Sequence, residues 1–300
     1  MWSVTIPRCG SRISDRADLF ETRARSSVAL RGDRRVSHDD IGPSCLNCNT
    51  RLHGKFCHAC GQKATSANVK LHDFVHEATH EFLHLDGKIV NTLELLVVKP
   101  GQLTVEFLEG RRSRYISPLR VYLTFSLIFF TLAALLPGSF EGAVKVKGGT
   151  QLQRDSDFER RLDDGMVKAE RDADLIGNAV LKHLPKIMFV LMPVFALVVW
   201  AFYRKRQRFF IPHLYYSVHF HAFVFLAMTA YLLVNRIGVP KPVAAVLILT
   251  VIPYHFIALR RVYGGSRGLT LAKGFAAGFL YWLIAILSVL ALTLAILVNL

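Results

Sequence analysis

Acidic side chains are scarce in this 300-residue chain: 22 Asp and Glu stand against 37 Lys and Arg, a formal charge of +15. Such a balance suits an anionic partner, either nucleic acid or lipid. No nucleic-acid-binding motif accompanies the charge, so no nucleic-acid partner is expected. Residues Met1–Gly10 lack the apolar run of a secretory signal, and none is expected. Large apolar side chains are also rare in residues 1–44, which are rich in Arg, Ser and Asp. Too little surface is available there to offset the entropy of ordering, and the segment is expected to be disordered. Its Ser/Arg-rich opening is also compatible with a misplaced start. Cysteine is scarce as well: five in the whole chain, with Cys9 isolated and the other four confined to sixteen residues.

Those four form CLNCNTRLHGKFCHAC, in which Cys45/Cys48 and Cys57/Cys60 are two C-x-x-C pairs. Two such turns can aim four thiolates at one tetrahedral ion, which makes residues 45–62 a candidate structural zinc knuckle. A segment this short has no core, so metal binding would supply most of its folding free energy. Two disulfides would need an oxidising compartment. A redox C-x-x-C would need only one pair and a βαβ context. His53 and His58 lie beside the pairs, but four sulfurs already complete the shell.

What the amino-terminal part lacks in apolar residues, the rest has in excess. Hydrophobic residues make up 52% of the chain and cluster after Pro118. Five long apolar runs, at 119–136, 184–203, 213–234, 243–259 and 274–298, approach the ~20 residues a helix needs to cross hydrocarbon. The chain therefore reads as an all-α polytopic membrane protein with a small zinc-ribbon-like knuckle. Between them, residues 70–118 read as cytosolic amphipathic and juxtamembrane helices.

Of the 37 basic residues, 18 precede position 121. Arg111, Arg112, Arg114 and Arg120 precede the first run. Arg204, Lys205, Arg206 and Arg208 separate the second and third, and Arg260, Arg261, Arg267 and Lys273 the fourth and fifth. Residues 137–183, by contrast, mix 8 basic with 9 acidic residues. Positive connectors stay in the cytoplasm. The expected topology is amino terminus inside and carboxyl terminus in the periplasm of a bacterial inner membrane. Arg111, Arg112, Arg114 and Tyr115 would form a collar at the lipid headgroups, or serve simply as a topology anchor. Gly274 and Gly278 in the last run form G-x-x-x-G, which suits close packing inside the bundle or a homo-oligomer contact.

The stretch LHDFVHEATHEFLHLD contains H-E-x-x-H at His76, Glu77 and His80, the zinc-peptidase pattern. Leu71, Phe74, Val75, Ala78, Phe82, Leu85 and Ile89 line the opposite face at helical spacing. No G-x-x-H extension supplies a third ligand, and no domain beside the motif is large enough to form a cleft. The motif is therefore read as the polar face of an amphipathic helix on the leaflet or the bundle, and no catalytic residue is assigned. Inside the spans, His219 and His255 are candidate solute or proton sites, because ionisable groups in spans are functional candidates. Their depth, toward the cytoplasmic ends, suggests instead imidazoles that reach interfacial water.

Downstream, DGKIVNTLELLVVKPGQLTVEFLEGRRSRYISPLRVYL reads as helix, turn at Lys99-Pro100-Gly101, helix, Gly110 stop, basic–aromatic segment and span. With the preceding FCHACGQ, this block resembles the bacterial membrane proteins grouped as domain-of-unknown-function family 3667. The shared elements are Cys45, Cys48, Cys57, Cys60, Thr92, Pro100, Gly101, Gly110, Arg111, Arg112, Tyr115 and Pro118. The resemblance implies an integral membrane protein with a cytosolic zinc knuckle and implies no activity. The expected role is a non-enzymatic scaffold or docking protein, with lipids and a cytosolic protein as partners. The alternatives are a small-solute or ion transporter and, behind it, a membrane zinc metallopeptidase.

Overall fold

The computed structural model describes residues 44–64, 86–136, 164, 167 and 173–299, all within one compact unit, Ile41–Leu300. The H-E-x-x-H stretch and the amino-terminal 43 residues lie outside the described residues. Eight helices are described: α1 Asp86–Val98, α2 Gln102–Leu108, α3 Pro118–Leu135, α4 Ala173–Tyr203, α5 Phe210–Arg236, α6 Lys241–Leu249, α7 Val251–Tyr263 and α8 Arg267–Asn299. Among the described residues there is no extended strand, only two isolated antiparallel bridges in the knuckle.

Five rods are long and apolar enough to cross a membrane: α3, most of α4 (Ala179–Tyr203), α5, the α6–α7 pair (Lys241–Tyr263) and α8. Pro118 begins α3 at a position where its missing N–H costs nothing. The fourth rod is a single span broken at Thr250, which caps α6 and leads directly into α7. Pro253 sits in the first turn of α7, where a proline is tolerated. Five spans were legible in the sequence, and the helices start or stop three or more residues outside the apolar runs at four of the ten ends.

The hub is α5. It packs against α1, α2, α3, α4, α6 and α7, and is the most enclosed of the five spans, whereas α8 is the least. Tyr122 and Phe129 of α3 meet Phe225 of α5 at ring centroids of 5.7 and 5.6 Å. Gly274 of α8 is buried against Phe256 and Leu259 of α7, and Gly278 is next to His255. The G-x-x-x-G face is thus used for packing inside the bundle.

Three basic connectors gather at one end. Arg206, between α4 and α5, donates to the Tyr263 carbonyl at the end of α7 (2.8 Å). Arg261 donates to the Pro100 carbonyl in the α1–α2 turn (2.7 Å). The knuckle docks at the same end, against the loop that leads into α3.

Candidate metal centre

The knuckle is one turn made twice, twelve residues apart. In the first copy Cys45 N–H donates to Thr50 O and Asn49 N–H to Cys45 O, both at 2.8 Å. In the second, Cys57 N–H donates to Gln62 O (2.9 Å) and Gly61 N–H to Cys57 O (2.8 Å). The fifth position of each turn must be left-handed: Gly61 has φ 72° and Asn49 φ 60°. Glycine and asparagine are the residues that enter that region most readily. Ser44↔Arg51 and Phe56↔Lys63 close the two turns as matching bridges.

This repetition crosses the sulfurs. Cys45 Sγ approaches Cys60 Sγ at 3.6 Å, and Cys48 Sγ approaches Cys57 Sγ at 3.5 Å. All four sulfurs lie within 4.8 Å of one another, and all four cysteines are free thiols. Four thiolates around a tetrahedral ion with bonds of ~2.3 Å stand ~3.8 Å apart, so the donor set fits a thiolate-preferring ion. Burial pushes the Cys45 thiol up to about 11, while the Thr50 hydroxyl and N–H bring Cys48 down to about 6. All four cysteines must be thiolates to hold an ion, so binding releases protons, that of Cys45 among them. His53 and His58 are exposed and face each other at 5.7 Å between ring centroids, outside the sulfur cluster.

A single side chain fastens the knuckle to the membrane entry. Gln62 Oε1 accepts from the N–H groups of Arg112 (3.0 Å) and Ser113 (3.1 Å), and its Nε2 donates to Gly110 O (2.7 Å). From the first turn, Leu46 lies so close to Gly110 that a side chain there would collide with it. Both copies of the turn therefore grip residues 110–113. Sequence reasoning missed Gln62; its only signal was its place directly after the second C-x-x-C-G.

The four expected collar residues go to different places. Arg111 is taken up by ion pairs with Glu106 and Glu109. Arg112 turns inward, only 9% exposed, bonding Phe107 O at 3.3–3.4 Å with its guanidinium 6.0 Å from the Tyr215 ring. Tyr115 is half-buried, and its ring lies 6.3 Å from that of Phe107. Arg114 is the exposed member. Burial opposes ionisation of Glu106, but its bonds to Arg111 and Gln102 outweigh this and hold the carboxyl below its usual value.

The intramembrane histidines do not reach water as their depth suggested. His213, His219, His221 and His255 are all buried. Over His219 lies α2, which read as a juxtamembrane helix and which packs on α5 and α7. Three of the imidazoles repeat one arrangement: a tyrosine hydroxyl on one nitrogen and a backbone carbonyl on the other. His213 lies between Tyr263 (2.8 Å) and Gln207 O (3.0 Å), His221 between Tyr281 (2.7 Å) and Ser217 O (2.8 Å). His255 lies between Tyr216 (2.8 Å) and Gly274 O (3.3 Å). A carbonyl only accepts, so the nitrogen facing it carries the proton, and each neutral ring is fixed in one tautomer. His219 differs: Nδ1 meets Thr104 Oγ1 of α2 at 2.9 Å, while Nε2 has no partner among the described residues. His76, Glu77 and His80 lie outside the described residues.

No curated protein and no solved structure matches the chain. Residues 86–130, which comprise α1, α2 and most of α3, match the family model described as "Protein of unknown function (DUF3667)"; the match supports the resemblance there and does not extend to the four cysteines.

Proposed function

We propose that the chain is a non-enzymatic protein of a bacterial cytoplasmic membrane, built to hold a zinc-stiffened cytosolic head against the bilayer as a scaffold or docking platform. The observation that carries this reading is the crossed four-sulfur cluster fastened by Gln62 to the loop before the first span. Cys45, Cys48, Cys57 and Cys60 would hold the zinc, with no position left for water or substrate. Such a closed shell suits a structural ion. The gathering of basic connectors at the knuckle's end supports a cytoplasmic head and a periplasmic carboxyl terminus. Arg114 is then the residue best placed for headgroups.

Metal analysis of the purified full chain tests the assignment. About one zinc per chain is expected, as for a four-thiolate shell, lost in Cys45→Ser and kept in His80→Ala. A chain without metal defeats the proposal. A second zinc that depends on His76 and His80 restores the peptidase alternative.

Transport through the intramembrane histidines is the second reading, and the unpartnered Nε2 of His219 is the observation that favours it. His255 does not add support, because both its nitrogens are engaged. Solute or ion flux in proteoliposomes that disappears in His219→Ala would establish it.

A further inference from the structure

Helix α1 has three sides rather than two. At about 100° per residue, Thr92, Leu95 and Leu96 share one sector, and all three are buried, toward α2 and α5. Asn91 and Glu94 share a second, exposed sector with Val98, the last residue of the helix, and there Glu94 pairs with Lys99 at 3.4 Å. The third sector, about 100° of arc, holds Ile89, Val90, Leu93 and Val97. It is wholly apolar, yet Ile89, Val90 and Val97 are 36, 65 and 45% exposed. A helix on a soluble surface needs a protein side and a water side; the third sector needs a further, apolar medium.

The helix is tied at its middle and just past its carboxyl end to the ends of spans. At its midpoint, Thr92 Oγ1 accepts from Ile116 N–H at 3.0 Å, two residues before Pro118 begins α3. Just past its end, Pro100 O accepts from Arg261, two residues before α7 stops at Tyr263. Between Thr92 and the turn that holds Pro100 lies about 9 Å of helix. Both partners lie at the ends of candidate spans, which suits an axis that runs along the membrane plane.

We propose that α1 is an in-plane helix whose Ile89–Val90–Leu93–Val97 face is covered by the phospholipid leaflet, at the boundary between acyl chains and headgroups. The inference rests on the membrane reading of the five rods, and it deepens the docking role by naming the leaflet as what this face docks to. The protein sector packs on the bundle, the Asn91–Glu94 sector faces water, and the remaining sector continues the apolar surface that the spans present to lipid. Interfacial helices bind through this combination of buried apolar area and a polar opposite face.

Photo-crosslinking of the full chain in phospholipid nanodiscs tests this. p-Benzoylphenylalanine replaces Val90, Val97, Asn91 or Glu94 in separate variants, and Leu127, an exposed residue of α3, in a control. Lipid adducts are expected at Val90 and Val97 in several-fold excess over Asn91 and Glu94, and at Leu127. The inference is overturned if Val90 and Val97 give no excess while Leu127 crosslinks to lipid. Adducts at Val90 and Val97 to a second copy, or in native membranes to another protein, in place of lipid overturn it as well. Should Leu127 also fail to capture lipid, the membrane reading itself falls. All four α1 positions are exposed, so the replacements do not disturb the buried sector.

Discussion

Gln62 satisfies three backbone groups with one amide, and its own backbone is held by Cys57. Gln62→Ala should cost ~1–3 kcal/mol, the penalty for leaving partly buried donors without acceptors. The expected signature is faster hydrogen exchange at the Arg112 and Ser113 amides with zinc content unchanged. Gln62→Glu keeps the acceptor but turns an oxygen toward Gly110 O, so its effect should be intermediate. Glu106 gives a prediction with a pH sign. Its carboxyl is held below the usual value by Arg111 and Gln102, against the opposing effect of burial. The stability it adds is therefore present above the ordinary carboxylate pKa of ~4.3 and lost as pH falls through its depressed value. Thermal melting should show Glu106→Gln less stable than the parent by ~1 kcal/mol at pH 7, with the difference vanishing in acid. The spacing of the four clustered cysteines was legible because a metal shell is written in nearest-neighbour sequence. The inward course of Arg112 was not, because the ring it approaches, Tyr215, comes a hundred residues later in a different helix.

Among the elements, α2 is where sequence and structure part. Its residues read as one more juxtamembrane helix with no partner specified; in the fold Leu103, Thr104 and Phe107 are buried. Nothing in its period shows which helix it will cover. That register comes from close contact: Gly101, at φ 77°, brings its backbone so near Ala258 that a Cβ would sit 2.8 Å from the Ala258 Cα and carbonyl oxygen. Gly101→Ala meets both a left-handed backbone and a backbone collision, and should destabilise by ~2–4 kcal/mol. It should also expose the Thr104–His219 contact, read as faster exchange across α2. Spans were easier to read, since hydropathy and length suffice for a helix that must cross hydrocarbon. Their polar residues were not, because whether an imidazole meets water or a tyrosine depends on neighbours. Tyr216→Phe tests that pairing: it removes the partner of His255 Nδ1 in a buried setting and should cost ~1–3 kcal/mol in a detergent melt. His255→Phe removes the other member of the pair and, with the hydroxyl of Tyr216 retained, should be no milder.

For the whole molecule, the sequence supplied a direction and the structure a meeting point. Positive connectors predicted one cytoplasmic end, and the fold brings the knuckle, the α1–α2 turn, the α4–α5 loop and the α7–α8 loop to one end. A carboxyl-terminal alkaline phosphatase fusion should be active, and the same reporter placed after Gln62 inactive. The reverse pattern would move the four thiols to the oxidising side and undo the zinc assignment with the topology. Metal removal should act beyond the knuckle: chelation loosens both turns, and the grip on residues 110–113 goes with them. Protease cutting near Arg111–Arg114 should rise on chelation and return with zinc.

The contact between Thr104 and His219 joins residues 115 positions apart. Chains are made from the amino terminus, and early parts fold before late ones exist. The cysteine turns and residues 110–113 leave the ribosome close together and can clasp at once. The berth for Thr104 and Phe107 arrives three spans into synthesis. Until α5 is threaded, α1 and α2 have only each other to lean on, and the bilayer surface would be their waiting room. The same greasy flank that holds α1 in the finished protein would thus also shelter the pair while the rest of the chain is still being made.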